Sequence, residues 1–381
     1  MTWRVPLSDV NLDSAEIDAV VAVLRSGWLT MGSITQAFEQ EFAAFTGSKH
    51  ALAITNGTAA LHLACLALGL GPGDEVILPS LTFVASANAI RYTGATPVFA
   101  DIESTDWLCL SPEAVRSAIT PQTKAIMVVH YAGYPCDMPA ILEIARQHHL
   151  AVIEDAAHAV GAALEGKALS TWGDVGCFSF FGNKNLTTAE GGMLLTQDDQ
   201  LAEKLQRLRS HGMTTLTWDR ARGHASTYDV VALGYNYRID DLRSALGRVQ
   251  LQKIPAGNAR RESAVRLYRE LLVAQTPEVA IPFAQARGQS SYHIMPVLLP
   301  EGSDKLRFIE AMKARGIQVS WHYPPVHTFS IYQRNSIPRV EDLKITEEVS
   351  AREVTLPLYP TISDEQIAWV VQAVKESLSC A

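Results

Sequence analysis

Residues 50–69 read HALAITNGTAALHLACLALG. The first five form a short apolar run of strand character, and Thr55 to Thr58 make a turn. Leu61, Ala64, Cys65 and Leu68 then recur at i, i+3, i+4 and i+7, the spacing of one buried helix face. The same strand, turn, helix order returns downstream. Apolar runs at DEVILPS (74–80), PVFADI (97–102), KAIMVVHY (124–131) and LAVIEDAAH (150–158) alternate with helical patterns over 82–94, near 111–119 and over 139–148. VGCFSF (175–180) and GGMLLTQ (191–197) add two more strands. This alternation predicts an α/β fold, a mostly parallel sheet covered by helices on both faces. Beyond a helix beginning near Asp240 the pattern changes. A strand at SYHIMPVLL (291–299), a helix over 303–316 ended by Gly316 and a strand at IQVSWHYP (317–324) lead to a closing helix over 363–377. Ser363 and Gln366 give that last helix capping-box spacing. The expected division is a large α/β domain over 1–250 and a smaller α+β domain over 251–381.

Composition limits the chemistry. The chain has 381 residues, 48% hydrophobic and 19% charged, with a net charge of -8 and no run of like charges. Binding nucleic acid needs a basic stripe to displace counterions, so that partner class is not expected. The longest nearly apolar run, AALHLACLALGLG from Ala59, is too short for a membrane span. Five scattered cysteines, Cys65, Cys109, Cys136, Cys177 and Cys380, contain no C-x-x-C pair and fit a reducing cytoplasm. The Asn56 and Asn185 sequons read as coincidence, since both fall in chemically loaded stretches.

In open parallel sheets, ligands bind beyond the carboxyl ends of the strands. Three stretches lie at such places. Asn56, Gly57 and Thr58 fall between a strand and a helix, where free N–H groups and the helix dipole suit a phosphate. A plain turn capped by Thr58 is the alternative reading. The run AVIEDAAHAVGA (151–162) ends a strand on Asp155, whose charge in a crevice calls for a cationic partner; His158 follows by three residues. FSFFGNKNLTTAEGGM (178–193) sets Lys184 among Phe178, Phe180, Phe181 and glycines. Burial there would lower the amine's pKa and free its lone pair for imine formation. A phosphate seat, a strand-end acid and a desolvated lysine together fit pyridoxal 5'-phosphate.

These stretches, with PSLTFVASANAI (79–90) and LGYNYRIDDLRSALG (233–247), resemble the DegT, DnrJ and StrS family of sugar aminotransferases, enzymes of fold type I. The resemblance runs from SGWLTMG (26–32) to REVTLPLYP (352–360). It implies that Lys184 holds the cofactor through an imine and later shuttles a proton, and that Asp155 pairs with the pyridinium nitrogen. Gly57, Thr58 and Ser179 would contact the phosphate, Phe83 would stack on the ring, and His158 would sit beside its phenolic oxygen. Asn236 would reach the phosphate of a neighbouring subunit, implying a homodimer with shared active sites. The implied reaction moves the amino group of L-glutamate onto a nucleotide-linked keto-sugar, with a lean towards a 4-keto-6-deoxyhexose. A branch of the family that removes a hydroxyl group carries His at the lysine position, which Lys184 argues against.

Trp28, Thr30, Tyr235, Arg238, His322, Tyr323 and His327 fall in segments resembling those near the family's sugar site. Arg238 either pairs with a glutamate carboxylate or diphosphate, or ties its loop to Asp240 or Asp241. His322 and His327 have no third ligand beside them, so no metal site is expected. Ala189 departs from the glycine that many relatives have before EGG. Two other readings stay open: an aminotransferase for a cyclitol or other non-nucleotide ketone, and a non-catalytic cofactor-binding regulator.

Overall fold

A computed structural model describes residues 3–215, 227–334 and 343–379; Cys380 lies outside them. Eleven strands appear among the described residues: β1 (His50–Ile54), β2 (Glu75–Pro79), β3 (Thr96–Ala100), β4 (Thr123–Val129), β5 (Ala151–Asp155), β6 (Ala163–Leu164), β7 (Lys167–Ala168), β8 (Val175–Ser179), β9 (Gly192–Thr196), β10 (Met295–Leu298) and β11 (Glu353–Leu356). Seven build the central sheet, in the order β1-β9-β8-β5-β4-β2-β3. The β3-β2-β4-β5-β8 neighbours all pair in parallel, and β9 runs antiparallel to both β8 and β1.

Successive strand residues point to opposite faces, and two cores result. Ala51, Ala53, Ile77, Ile126, Val128 and Val152 join Phe38 and Phe42 on one face. Leu52, Ile54, Val76, Leu78, Met127 and Ile153 face the other, against the helix Gly57–Ala67. That helix is buried on nearly every side and is packed by the helices Ala85–Tyr92 and Asp199–Arg209. Asn56 starts it, its side chain accepting a bond from the Ala59 N–H at 2.8 Å.

The helix expected near Asp240 spans Asp241–Gln275, with Asp240 as its cap. It passes straight through residue 250, so the division drawn from the sequence falls inside one 35-residue helix. Its distal half packs into a third core with the β10-β11 pair and the helices Lys305–Ala314 and Asp364–Leu378. Val5, from the other end of the chain, is fully buried in that core. The strand expected over 317–324 is reduced to single bridges at Ile317 and Ser320. Its polar residues and Pro324 and Pro325 leave no continuous ladder to make. The Ser363 and Gln366 capping box is present. Among the described residues, no helix is long and apolar enough to cross a membrane.

Candidate active site

The carboxyl ends of β1, β2, β4, β5 and β8 open on one cavity of about 760 Å³. Gly57, Thr58, Phe83, Asp155, His158, Ser179, Lys184, His322 and Tyr323 all line it. Parallel strands deliver their following loops to the same sheet edge, so residues 155 and 184 meet there despite the chain between them.

Asp155 ends β5 and is almost fully buried. Its Oδ2 accepts from the Ser86 hydroxyl at 2.7 Å and its Oδ1 from the Ala157 N–H at 3.1 Å. Burial raises the carboxyl's pKa; the Ser86 and Ala157 bonds and the Lys184 charge oppose that rise. Glu154, one residue earlier, points to the opposite face, where Ser170, Trp172 and Gly173 N–H groups and His130 hold it. Lys184 follows β8, and burial pulls its amine down to about 8, against the upward pull of Asp155.

His158 is tethered at both ring nitrogens. Nδ1 lies 3.2 Å from the Ala132 N–H, which donates to it. The ring is neutral, because burial, with the Lys184 charge nearby, holds its pKa well below the usual histidine value. Its proton therefore sits on Nε2, which donates to the Tyr323 hydroxyl at 3.0 Å. Phe83 is largely exposed into the cavity, its ring 5.8 Å from that of Tyr323.

Gly57 and Thr58 open the helix, where N–H groups lack intrahelical acceptors. A Cβ at Gly57 would lie 2.8 Å from the Ser179 Cβ, so only glycine lets this turn close on β8. A phosphate seat, a buried acid and a depressed amine share one cavity, and these residues fit pyridoxal phosphate. Gly57, Thr58 and Ser179 would hold its phosphate, Asp155 its ring nitrogen and Lys184 its aldehyde carbon.

Other expected residues lie outside this cavity. Asn236 is exposed, with a backbone bridge to Ser210. Trp28 and Thr30 sit on the segment that Asp241 holds by accepting from Gly32 and Thr35. Tyr235 stacks on Tyr237 with ring centroids 5.0 Å apart. Arg238 is tied to neither Asp240, which pairs with Arg243, nor Asp241. His327 has both nitrogens engaged, Nδ1 with Ser80 at 2.7 Å and Nε2 with Glu347 at 3.2 Å, which makes it a structural histidine. The Asn56 and Asn185 side chains are also used internally, Asn185 donating to Asn258 and the Ser291 carbonyl.

The lining also includes His62, Tyr92, Asn183, Glu190 and Tyr237, which no motif in the sequence singles out. Nor does one single out Ser86, which lies one helical turn beyond Phe83.

The family profile of the DegT/DnrJ/EryC1/StrS aminotransferases matches residues 10–375. A spore coat polysaccharide biosynthesis protein of Bacillus subtilis, SpsC, is 41% identical over 376 residues, covering 97% of this chain and 96% of that one. Helicobacter pylori PseC, an aminotransferase involved in the biosynthesis of pseudoaminic acid, superposes with a TM-score of 0.91 at 30% identity and 100% coverage of both chains. The PLP form of Spr1654 from Streptococcus pneumoniae superposes with a TM-score of 0.91 at 28% identity over 98% of each chain. With its strand-end acid and lysine in one cavity and this match along nearly its whole length, the chain belongs to the DegT/DnrJ/EryC1/StrS family and is a pyridoxal-phosphate-dependent sugar aminotransferase.

Proposed function

We propose that the chain moves the amino group of L-glutamate onto a keto-sugar carried by a nucleoside diphosphate, specifically a 4-keto-6-deoxyhexose. It would work in the cytoplasm as a homodimer with shared sites, and its amino sugar would enter a polysaccharide or glycan. The observation that carries amino transfer is that the buried Lys184 amine and the strand-end Asp155 line one cavity, with burial lowering the amine's pKa. The names of SpsC and PseC support the pathway. Cavity size supports a large acceptor: about 760 Å³ lies high in the roughly 300–1,000 Å³ range of small-molecule sites. Four buried free thiols suit a reducing compartment.

Bound pyridoxal phosphate supplies an electrophilic aldehyde and a ring that takes up the electron pair left when the amine-bearing carbon loses a proton. With the cofactor bound, the Lys184 amine would be the base placed to take the proton from the amine-bearing carbon and to give one back at the cofactor. Asp155, held by Ser86 and Ala157, would face the ring nitrogen and favour its protonated form. The helix start at Gly57 and Thr58, with Ser179, would anchor the phosphate. His158 and Tyr323 form a fixed hydrogen-bonded pair on the cavity wall. Within one chain, substrate contact falls to His322 and Tyr323; Asn236 would act on the partner's phosphate.

The purified holoprotein is expected to lose its visible absorbance with L-glutamate and regain it with a nucleoside diphosphate 4-keto-6-deoxyhexose. Borohydride reduction and peptide mapping should label Lys184. Recovery with a keto-cyclitol but with no nucleotide sugar would overturn the acceptor assignment, and an absence of bleaching would overturn the donor.

A further inference from the structure

Behind the cavity wall a buried carboxylate is wired to His322. Glu353, at the start of β11, is almost fully buried. Its Oε2 accepts from the His322 backbone N–H at 2.8 Å, and its Oε1 accepts from the Thr355 hydroxyl at 2.6 Å. The same Thr355 oxygen lies 2.7 Å from His322 Nδ1. His322 Nε2 has no hydrogen-bond partner among the described residues, and its ring lines the cavity. The proposed mechanism gives Glu353 and Thr355 no role.

We propose that Glu353 and Thr355 are positioning residues that dictate which nitrogen of His322 carries its proton, and so whether the cavity wall offers substrate an acceptor or a donor. Thr355 has one proton to give. An ionised Glu353 can only accept, so the Thr355 proton points to Oε1. The Thr355 oxygen then accepts from His322 Nδ1–H, and Nε2 shows the cavity a lone pair. When Glu353 gains a proton from solvent, Oε2 stays committed to the His322 N–H, so the new proton sits on Oε1 and is donated to Thr355. The Thr355 proton turns to Nδ1, and the imidazole proton leaves Nδ1 while one is gained at Nε2. The ring remains neutral throughout, and the net change is one proton on Glu353.

Neutrality of the ring agrees with its surroundings: burial and the Lys184 charge lower His322 to about 4. Burial raises Glu353 to about 8, opposed by Thr355, the His322 N–H and Lys305. Tyr131 and Tyr323 are the other titratable groups that sense its charge. Lys305 itself donates to the Ser350 carbonyl and lies over the Trp321 ring.

The consequence for substrate rests on the proposed reading of this cavity, but the tautomer is read without substrate, so a wrong acceptor assignment leaves the test intact. Two-bond proton-nitrogen correlation spectra of histidine-labelled holoprotein, with His322→Asn for assignment, report the protonated nitrogen directly. Wild type is expected to show Nε2–H at about pH 6.5 and Nδ1–H at about pH 9.5, on either side of the carboxyl midpoint. Glu353→Gln must turn its amide oxygen to the His322 N–H and its NH2 to Thr355, which locks Nε2–H at both values. Thr355→Ser should behave as wild type, and Thr355→Val should lose the pH response. An Nδ1–H ring in Glu353→Gln, or one tautomer at both pH values in wild type, overturns the proposal. Should Glu353→Gln fail to fold, a pH response persisting in Thr355→Val overturns it equally.

Discussion

Lys184 stands between two opposed influences. Burial disfavours its ammonium form, and the Asp155 charge favours it, with the balance at about 8. Only the neutral amine attacks an aldehyde, so cofactor uptake by the cofactor-free protein should accelerate as pH rises and level off above about 8. Asp155→Ala removes the influence that raises the amine's pKa, so the midpoint should move lower even as cofactor is held less well. Stopped-flow recombination measured against pH checks this; a midpoint near the free-lysine value of 10.5 would contradict it. Lys184 and Asp155 were legible in the sequence because each follows an apolar strand run, and a strand end is a local feature. The partners that tune them were not. Ser86 reaches Asp155 from 69 residues away and Tyr323 reaches His158 from 165 away, contacts that only the folded sheet creates.

The turn joining β1 to its helix shows how tightly elements are matched around the cavity. Gly57 lies against Ser179 of β8, and an added methyl group would sit 2.8 Å from the Ser179 Cβ. Relief requires the helix start to move away from β8, carrying its phosphate-facing N–H groups with it. Overpacking of this kind costs about 1–3 kcal/mol. Gly57→Ala should therefore weaken cofactor binding by about ten- to hundred-fold, measured by equilibrium dialysis. An unchanged dissociation constant would show that the close approach is dispensable. Ala189 is a second fitted position: its φ of 65° lies in the left-handed region that favours glycine, so the departure noted in the sequence carries backbone strain. Element types were readable because short apolar runs bounded by turn residues alternate with longer stretches of i, i+3, i+4 spacing, and run length separates strand from helix there. Direction was not, because an apolar run such as β9 reads alike in parallel and antiparallel ladders. The expected strand over 317–324 is reduced to bridges at Ile317 and Ser320, since Pro324 and Pro325 have no N–H to give a ladder.

At the scale of the molecule, the ends of the chain meet. Val5 pairs beside Ile317, and the Leu358 N–H donates to the Leu7 carbonyl, so the N-terminal segment is stitched to the C-terminal core. A linear division at residue 250 cannot express this, nor can it cut the helix Asp241–Gln275 that links both parts. Tyr228, Val230, Val231 and Leu233 precede Asn236 and are all exposed, Leu233 to 88%. Apolar side chains so close together suit a face covered by a second copy. The proposed dimer places Asn236 of one chain at the phosphate of the other, and this has a sharp consequence. Lys184→Ala removes the amine from its own chain's site, and Asn236→Ala weakens the phosphate seat of the opposite one. In a mixed dimer one site then carries both lesions and the other carries neither. Random subunit exchange makes half the dimers mixed, each with one intact site of two, so activity should recover to about a quarter of wild type. The assay is run at a cofactor concentration that leaves the Asn236→Ala homodimer largely empty. If Asn236 served its own chain, every site would retain one lesion, and mixing the two inactive proteins would restore nothing.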